Sequence, residues 1–335
     1  AVEYIQTLRA PRLTDYYKNG SDSLRALYGL VTESISHEGY SDKPMHSYWD
    51  DLFTMRGLKD AATIAHIIGN KEYEAKFLEL RDEFRAELNS SILLSMKYKH
   101  INYIPGCVEK GDFDATSTAV GLYPVEETHS LPQEALNNTF EKYYTWFVNR
   151  IRDTTWVNYT PYEIRVCGSM IRLGYKERAH AMLNWFFHDQ RPRGWNHWAE
   201  VVWHDATLPR FIGDMPHTWV GSDYVGMVRT MFAYEDGDSV LVLGAGLKDE
   251  WFTTGNAVSV KKFPTYFGEL NFSAATESNT SKIEISGAIT FPKNGILFTV
   301  PRLHDVKKIL VGGKEIVKAP NINVKVVPTK ITIEY

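Results

Sequence analysis

The sequence predicts a mainly α protein in which helical hairpins are followed by a C-terminal antiparallel β-sandwich. Three observations carry that reading. Up to about residue 236 apolar residues recur at spacings of three and four, the period of a helix that buries one face. No alternating pattern interrupts those helices, which argues against an α/β sheet. Beyond residue 236 short β-branched runs take over, punctuated by glycine and proline. The predicted division is a helical domain over residues 1–236 and a β-sandwich support domain over 237–335.

Taken in order, the first helix is expected over residues 22–33, with Leu24, Leu27, Tyr28 and Val31 at helical spacing. A second starts at Trp49-Asp50-Asp51 and runs to about Ile68, where Gly69-Asn70 supplies a stop. A third spans 72–94 and puts Phe77, Leu80, Phe84 and Leu88 on one face. Further helices are predicted at 116–122, 133–151, 161–173, 176–187 and 221–234. Pro132 precedes the second of these, near a first-turn position where a missing N–H costs nothing. Gly174 separates two helices so closely that they should form an antiparallel hairpin. Strands are predicted at 240–243, 258–260, 270–273, 282–285, 296–300, 308–311, 324–327 and 330–334. The long stretches 39–48, 101–115 and 190–218 are rich in Gly, Pro, Trp, His and Asp, as working surfaces on one rim of a helical ring would be.

Of the 335 residues, 44% are hydrophobic and 13% aromatic, enough to fill a sizeable core and to exclude wholesale disorder. The 37 basic and 41 acidic side chains give a net charge of -4, without the basic excess that a phosphate backbone attracts, so nucleic acid is not an expected partner. Two cysteines, Cys107 and Cys167, are too few for a disulfide framework, and whether they pair stays open. No apolar run reaches the length of a bilayer crossing, and no membrane partner is expected. The chain starts at Ala1 without Met or a signal peptide, as a processed, cloned or clipped chain would.

Four stretches could carry chemistry. Trp49 beside Asp50 and Asp51, after His37-Glu38 and His46, suits a sugar: an indole packs on the apolar face of a pyranose while a carboxylate accepts its hydroxyls. The bland alternative is that Asp50 or Asp51 caps the helix. Glu109, Asp112 and Asp114 form a second group, in which Asp112 could line a pocket and Asp114 suits a helix cap. Glu163, within Tyr162-Glu163-Ile164, is either a first-turn charge or an acid among aromatics whose desolvation would raise its pKa. The fourth stretch gathers Arg193, Trp195, Asn196, His197, Trp198, Glu200, Trp203, His204, Asp205, Asp214, His217 and Trp219. Trp195, Trp198 and Trp219 are natural stacking platforms, and Glu200 is the best general-base candidate. The histidine spacing matches no tight metal signature, so no metal is expected. Neither a serine elbow nor a dinucleotide fingerprint is present.

As an ordered set these stretches resemble the six-hairpin glycosidase superfamily, most closely the glucoamylase-type glycoside hydrolases. The segments that carry the likeness are Tyr48-Trp49-Asp50-Asp51-Leu52, Phe113-Asp114-Ala115-Thr116-Ser117, Tyr162-Glu163, Trp198-Ala199-Glu200 and Gly213-Asp214-Met215-Pro216-His217-Thr218-Trp219. The resemblance implies an (α/α)6 toroid over the helical domain, which becomes the catalytic domain, with a sandwich behind it as in rhamnosidase-like relatives. It implies inversion by a general acid at Glu163 and a general base at Glu200. Substrate contacts would come from Trp49, Asp50, Asp51, Asp112, Trp195, His197, Trp198, Asp214, His217 and Trp219. The partner would be an oligo- or polysaccharide, no cofactor is required, and a periplasmic or extracellular location is implied. Two departures stand out. Asp51 follows Asp50 where the family pattern has Arg, so the sugar need not be glucose. About eight helices are predicted where a toroid has twelve, so the rest come from an upstream segment or lie unrecognised among the loops.

Bound phosphate in place of water would make the same scaffold a phosphorylase, with Arg193, His197 and His217 as its contacts. A polysaccharide lyase on a helical toroid is the rival enzyme class, and would recruit Tyr159, Tyr162, Arg193, Asn196 and His197. A non-catalytic carbohydrate-binding relic is the third reading.

Overall fold

The computed structural model describes residues 1–36, 39–40, 42–153, 155–205, 207–208, 214–237 and 239–335. The chain forms a helical N-terminal region followed by a strand-rich C-terminal region, and it divides into two compact units, Ala1–Val157 and Asn158–Tyr335.

In the first unit, short helices α1 (Val2–Arg9), α2 (Asp15–Lys18) and α3 (Asp22–Arg25) precede the long α4 (Tyr48–Ile67) and α5 (Lys71–Lys99). Leu52, Met55, Leu58, Ala62 and Ala65 of α4 are buried, as are Phe84, Leu88 and Ile92 of α5. The connection needs a left-handed residue, which Gly69 provides at φ 72°, and Asn70 opens α5 by accepting the Tyr73 N–H at 3.1 Å. Helices α6 (Ala115–Val120) and α7 (Gln133–Arg152) complete this unit.

The helix expected over 22–33 stops at Arg25. Gly29 adopts φ 80°, and its carbonyl accepts Arg9 Nε at 2.8 Å. Tertiary demand on the backbone outweighs the apolar spacing there. The loops after α3 and after α5 meet instead at the bridge Ser47↔Cys107, while Ser34↔Met45 and Pro105↔Phe113 each fold one loop back on itself.

The second unit begins with β1 (Asn158–Tyr159), a 3-10 turn at Pro161–Glu163 and α8 (Ile164–Arg172). Then come α9 (Lys176–His188), β2 (Val202–Trp203) and α10 (Thr218–Phe232). Gly174 at φ 83° turns α8 into α9, and α10 packs on α8.

The remaining strands are β3 (Ala233–Asp236), β4 (Val240–Leu243), β5 (Ala257–Thr265), β6 (Gly268–Glu277), β7 (Thr280–Ile289), β8 (Ile296–Thr299), β9 (Lys308–Val311), β10 (Lys314–Ile316), β11 (Asn321–Val324) and β12 (Thr329–Glu334). One sheet has the order β10-β9-β12-β7-β6-β5 with every pair antiparallel. A second has the order β11-β8-β4-β3. It is mixed rather than antiparallel, because β4 and β8 run parallel; the β5–β7 meander lies between them in sequence and supplies the long crossover that a parallel pair needs. Leu241, Leu243, Phe298 and Val324 of this sheet share one buried cluster with Phe272, Ile283, Ile285, Ile331 and Ile333 of the other. Strands β6 and β7 alternate buried and exposed residues along most of their length, so each sends one face into that cluster.

The α8–α10 helices and the strands belong to one compact unit for a visible reason. Gly246, in the turn after β4, lies so close to α10 and α8 that a Cβ there would stand 2.6 Å from Met231 Cα and 2.8 Å from Ile171 Cδ1. His180 Nε2 donates to the Gly246 carbonyl at 2.8 Å, and Lys176 pairs with Asp249 at 2.6 Å.

Candidate active site

Local chemistry builds the centre of the site in the second unit. Strands β1 and β2 pair antiparallel, Asn158 opposite Trp203 and Tyr159 opposite Val202. The chain leaves this ladder at Thr160-Pro161, where Pro161 fixes φ in the first turn and Thr160 Oγ1 accepts the Tyr162 N–H at 3.4 Å. Glu200 lies two residues before Val202, ahead of the opposite strand. Thr160 Oγ1 donates to the Glu200 carbonyl at 2.9 Å, and the Thr160 carbonyl accepts the Glu163 N–H at 3.0 Å. One threonine thus ties the backbones of both glutamates together. Glu163 is 3% exposed, and Glu200 is half-buried.

Tyr162 immediately precedes Glu163, and its N–H shares Thr160 Oγ1 with the Glu200 carbonyl. Its hydroxyl is 2.7 Å from His217 Nε2, and His217 Nδ1 is 2.7 Å from Asp214 Oδ2. The ring meets His217 and Trp219 edge-on at centroid distances of 5.6 and 5.8 Å. Arg165 stands 4.7 Å over it, held by Asp223 through bonds of 3.0 and 2.7 Å. Burial first, then the Glu200 carboxylate, push the Tyr162 hydroxyl up to about 12, so it stays a neutral phenol at neutral pH. Burial also raises Asp223, against the opposing pull of Arg165.

The other expected residues of this unit divide by exposure. Trp195 is 56% exposed and His197 is exposed, while Trp219 presents part of its ring. Trp198 is only 4% exposed; it packs against Phe187 and Tyr224 at 5.5 Å each, and its Nε1 donates to the Phe186 carbonyl. Its ring therefore serves the core. A cavity of about 280 Å³ opens beside β2, lined in part by Arg193, Ala199, Val201, Trp203 and Met215.

In the first unit, the residues expected to touch substrate are tied into the two loops that meet at the start of α4. Ser47 caps that helix, accepting the Trp49 N–H, so neither aspartate is needed as a cap. Asp50 accepts Ser34 Oγ at 2.7 Å and Ser36 Oγ at 2.9 Å. Asp51 is fully buried and accepts the Val31 N–H at 3.1 Å. Burial, reinforced by Asp50 against the Val31 bond, holds its carboxyl well above the usual range. Asp112 accepts Tyr40 Oη and the Cys107 N–H, each at 3.1 Å. Trp49 is buried beside Phe53, and His46 Nδ1 meets Glu109 Oε1 at 2.5 Å. Asp114 is the cap of α6, accepting the Thr116 and Ser117 N–H groups at 2.9 and 3.1 Å. Both cysteines are buried free thiols. His37, Glu38 and Gly213 lie outside the described residues.

Thr160 and Asp223 were not legible as site residues. The Thr-Pro dipeptide is a turn signal that could have drawn attention to Thr160. The Arg165–Asp223 pair spans 58 positions and left no local pattern. Among the described residues no group of three or more His, Cys, Asp or Glu side chains could hold a metal ion, and no helix is long and apolar enough to cross a membrane. No family model matches the chain, and no curated protein matches it.

Proposed function

We propose that this chain is a glycoside hydrolase that cleaves an oligo- or polysaccharide with inversion, Glu163 acting as general acid and Glu200 as general base. The observation that carries the reading is the Thr160 bridge on the β1–β2 ladder, which links the two glutamate-bearing backbones within one unit. Glu163 would be the proton donor to the leaving oxygen. The more accessible Glu200 would take a proton from water on the opposite face of the ring, which requires roughly 6.5–9.5 Å between the carboxyl groups. Exposed Trp195 and Trp219 offer stacking faces for the sugar. On this reading the helices belong to an (α/α) toroid, the two sheets that share a core form its sandwich, and the substrate is met in the periplasm or outside the cell.

One observation favours a second reading. Tyr162, His217 and Arg165 are the kinds of group a polysaccharide lyase uses to move a proton beside a uronate, and Tyr162 contacts both of the others. A panel of neutral and uronate-containing glycans separates the two. Hydrolysis releases reducing ends without ultraviolet absorbance from an unsaturated product, and elimination produces both. Glu163→Gln and Glu200→Gln should each lower kcat for the cleaved glycan by about 10²–10⁴-fold. Wild-type rates in both variants would overturn the assignment, and binding without cleavage would favour a non-catalytic carbohydrate-binding protein.

A further inference from the structure

For a carboxylate Asp214 and a neutral His217, hydrogen-bond chemistry gives the contacts between Tyr162, His217 and Asp214 a direction. An ionised carboxylate only accepts, so the 2.7 Å contact to Asp214 Oδ2 commits the His217 proton to Nδ1. A neutral imidazole then has a bare Nε2, and the Tyr162 hydroxyl at 2.7 Å must donate to it. In that state the phenol proton goes to His217, and towards any other neighbour the Tyr162 oxygen acts as an acceptor. Thr160 Oγ1 joins the Tyr162 N–H to the Glu200 carbonyl, and the Glu200 carboxylate acts on the Tyr162 hydroxyl closely enough to add to burial in raising its pKa.

We infer that Asp214 and His217 orient Tyr162 so that its oxygen and the Glu200 carboxylate together hold the attacking water. The inference rests on the hydrolase reading. A water with one hydrogen on Glu200 and the other on Tyr162 has its lone pair fixed toward the anomeric carbon, the kind of alignment that a single acceptor leaves loose. As the new C–O bond forms and the glycosidic C–O bond breaks, the proton facing Glu200 passes to that carboxylate and the Glu163 proton goes to the leaving oxygen. Tyr162 exchanges no proton: it positions, and so do His217 and Asp214 behind it.

Two measurements on the full chain test this. Nitrogen-15 NMR of histidine-labelled protein, with the His217 signal assigned by its loss in His217→Ala, should show the Nδ1–H form with a bare Nε2; an Nε2–H form would overturn the relay. With a glycan that the wild type cleaves, Tyr162→Phe and His217→Ala should each lower kcat on the order of 10- to 100-fold with KM within about twofold. Tyr162→Phe combined with Glu200→Gln should be no slower than Glu200→Gln alone, because both act on one water. Additive losses, or a Tyr162→Phe variant at wild-type rate, would overturn the positioning role even if Glu163 and Glu200 prove essential. If Glu163→Gln and Glu200→Gln instead keep full activity, the hydrolase reading fails and the role fails with it, whatever the tautomer.

Discussion

At the residue scale, Thr160 carries more than its size suggests. Its hydroxyl donates to the Glu200 carbonyl and accepts the Tyr162 N–H, so valine, with nearly the same shape, would remove both bonds. Thr160→Val should cost about 1 kcal/mol of stability, read as a lowered denaturation midpoint, and should reduce kcat more than a generic loss of that size. Activity unchanged alongside lowered stability would show that the bridge is structural only. Asp51 makes the opposite case. Its folded carboxyl is held well above its unfolded value, chiefly by burial. Below the ordinary carboxylate range both states keep the proton. As pH rises through that range the unfolded chain ionises first, so the folded state is progressively disfavoured. Asp51→Asn should therefore raise Tm more at neutral pH than at acid pH; an equal shift at both would contradict the burial argument. Neighbouring pairs of this kind show what a sequence yields at this scale. The Asp114 cap was legible because capping is local, whereas Trp198 and Asp51 read as ligand contacts because a sequence cannot say which aromatic or carboxylate is buried.

Elements were easier to read than sites. The predicted helix at 133–151 is realised as α7 (Gln133–Arg152), and the strand at 240–243 is β4, because each has a strong period and clear flanking signals. Failures occurred where long-range contacts define the element. The β1–β2 ladder is only two residues per strand and is held by pairing across more than 40 positions, which no local pattern announces. The parallel β4–β8 pair was likewise invisible. Gly246 tests how tightly the strands and helices of the second unit are joined. Adding a methyl group would press on the Met231 backbone and on Ile171, so Gly246→Ala should destabilise by about 1–3 kcal/mol. A neutral effect in chemical denaturation would contradict so close an approach.

On the scale of the whole molecule, the change of composition near residue 236 and the division into compact units do not coincide. Composition records where helix gives way to strand, whereas compactness records where contacts thin, after Val157. Helices α8–α10 join the strands through Gly246, through Arg229 and its 2.8 Å pair with Glu235, and through the bond from Arg172 to the Glu235 carbonyl. Brief proteolysis of the native protein should therefore cut first around the exposed residues Ile151, Arg152, Asp153, Thr155 and Val157, leaving a fragment that starts near Asn158. First cleavage near residue 236 would contradict the division. The second unit also contains both glutamates, so the central claim concerns one compact body. The most direct test follows the anomeric proton of the released sugar by NMR while the wild-type chain cleaves its glycan. The first product should have the configuration opposite to that of the bond broken; retained configuration, or an unsaturated product, would contradict inversion by Glu163 and Glu200.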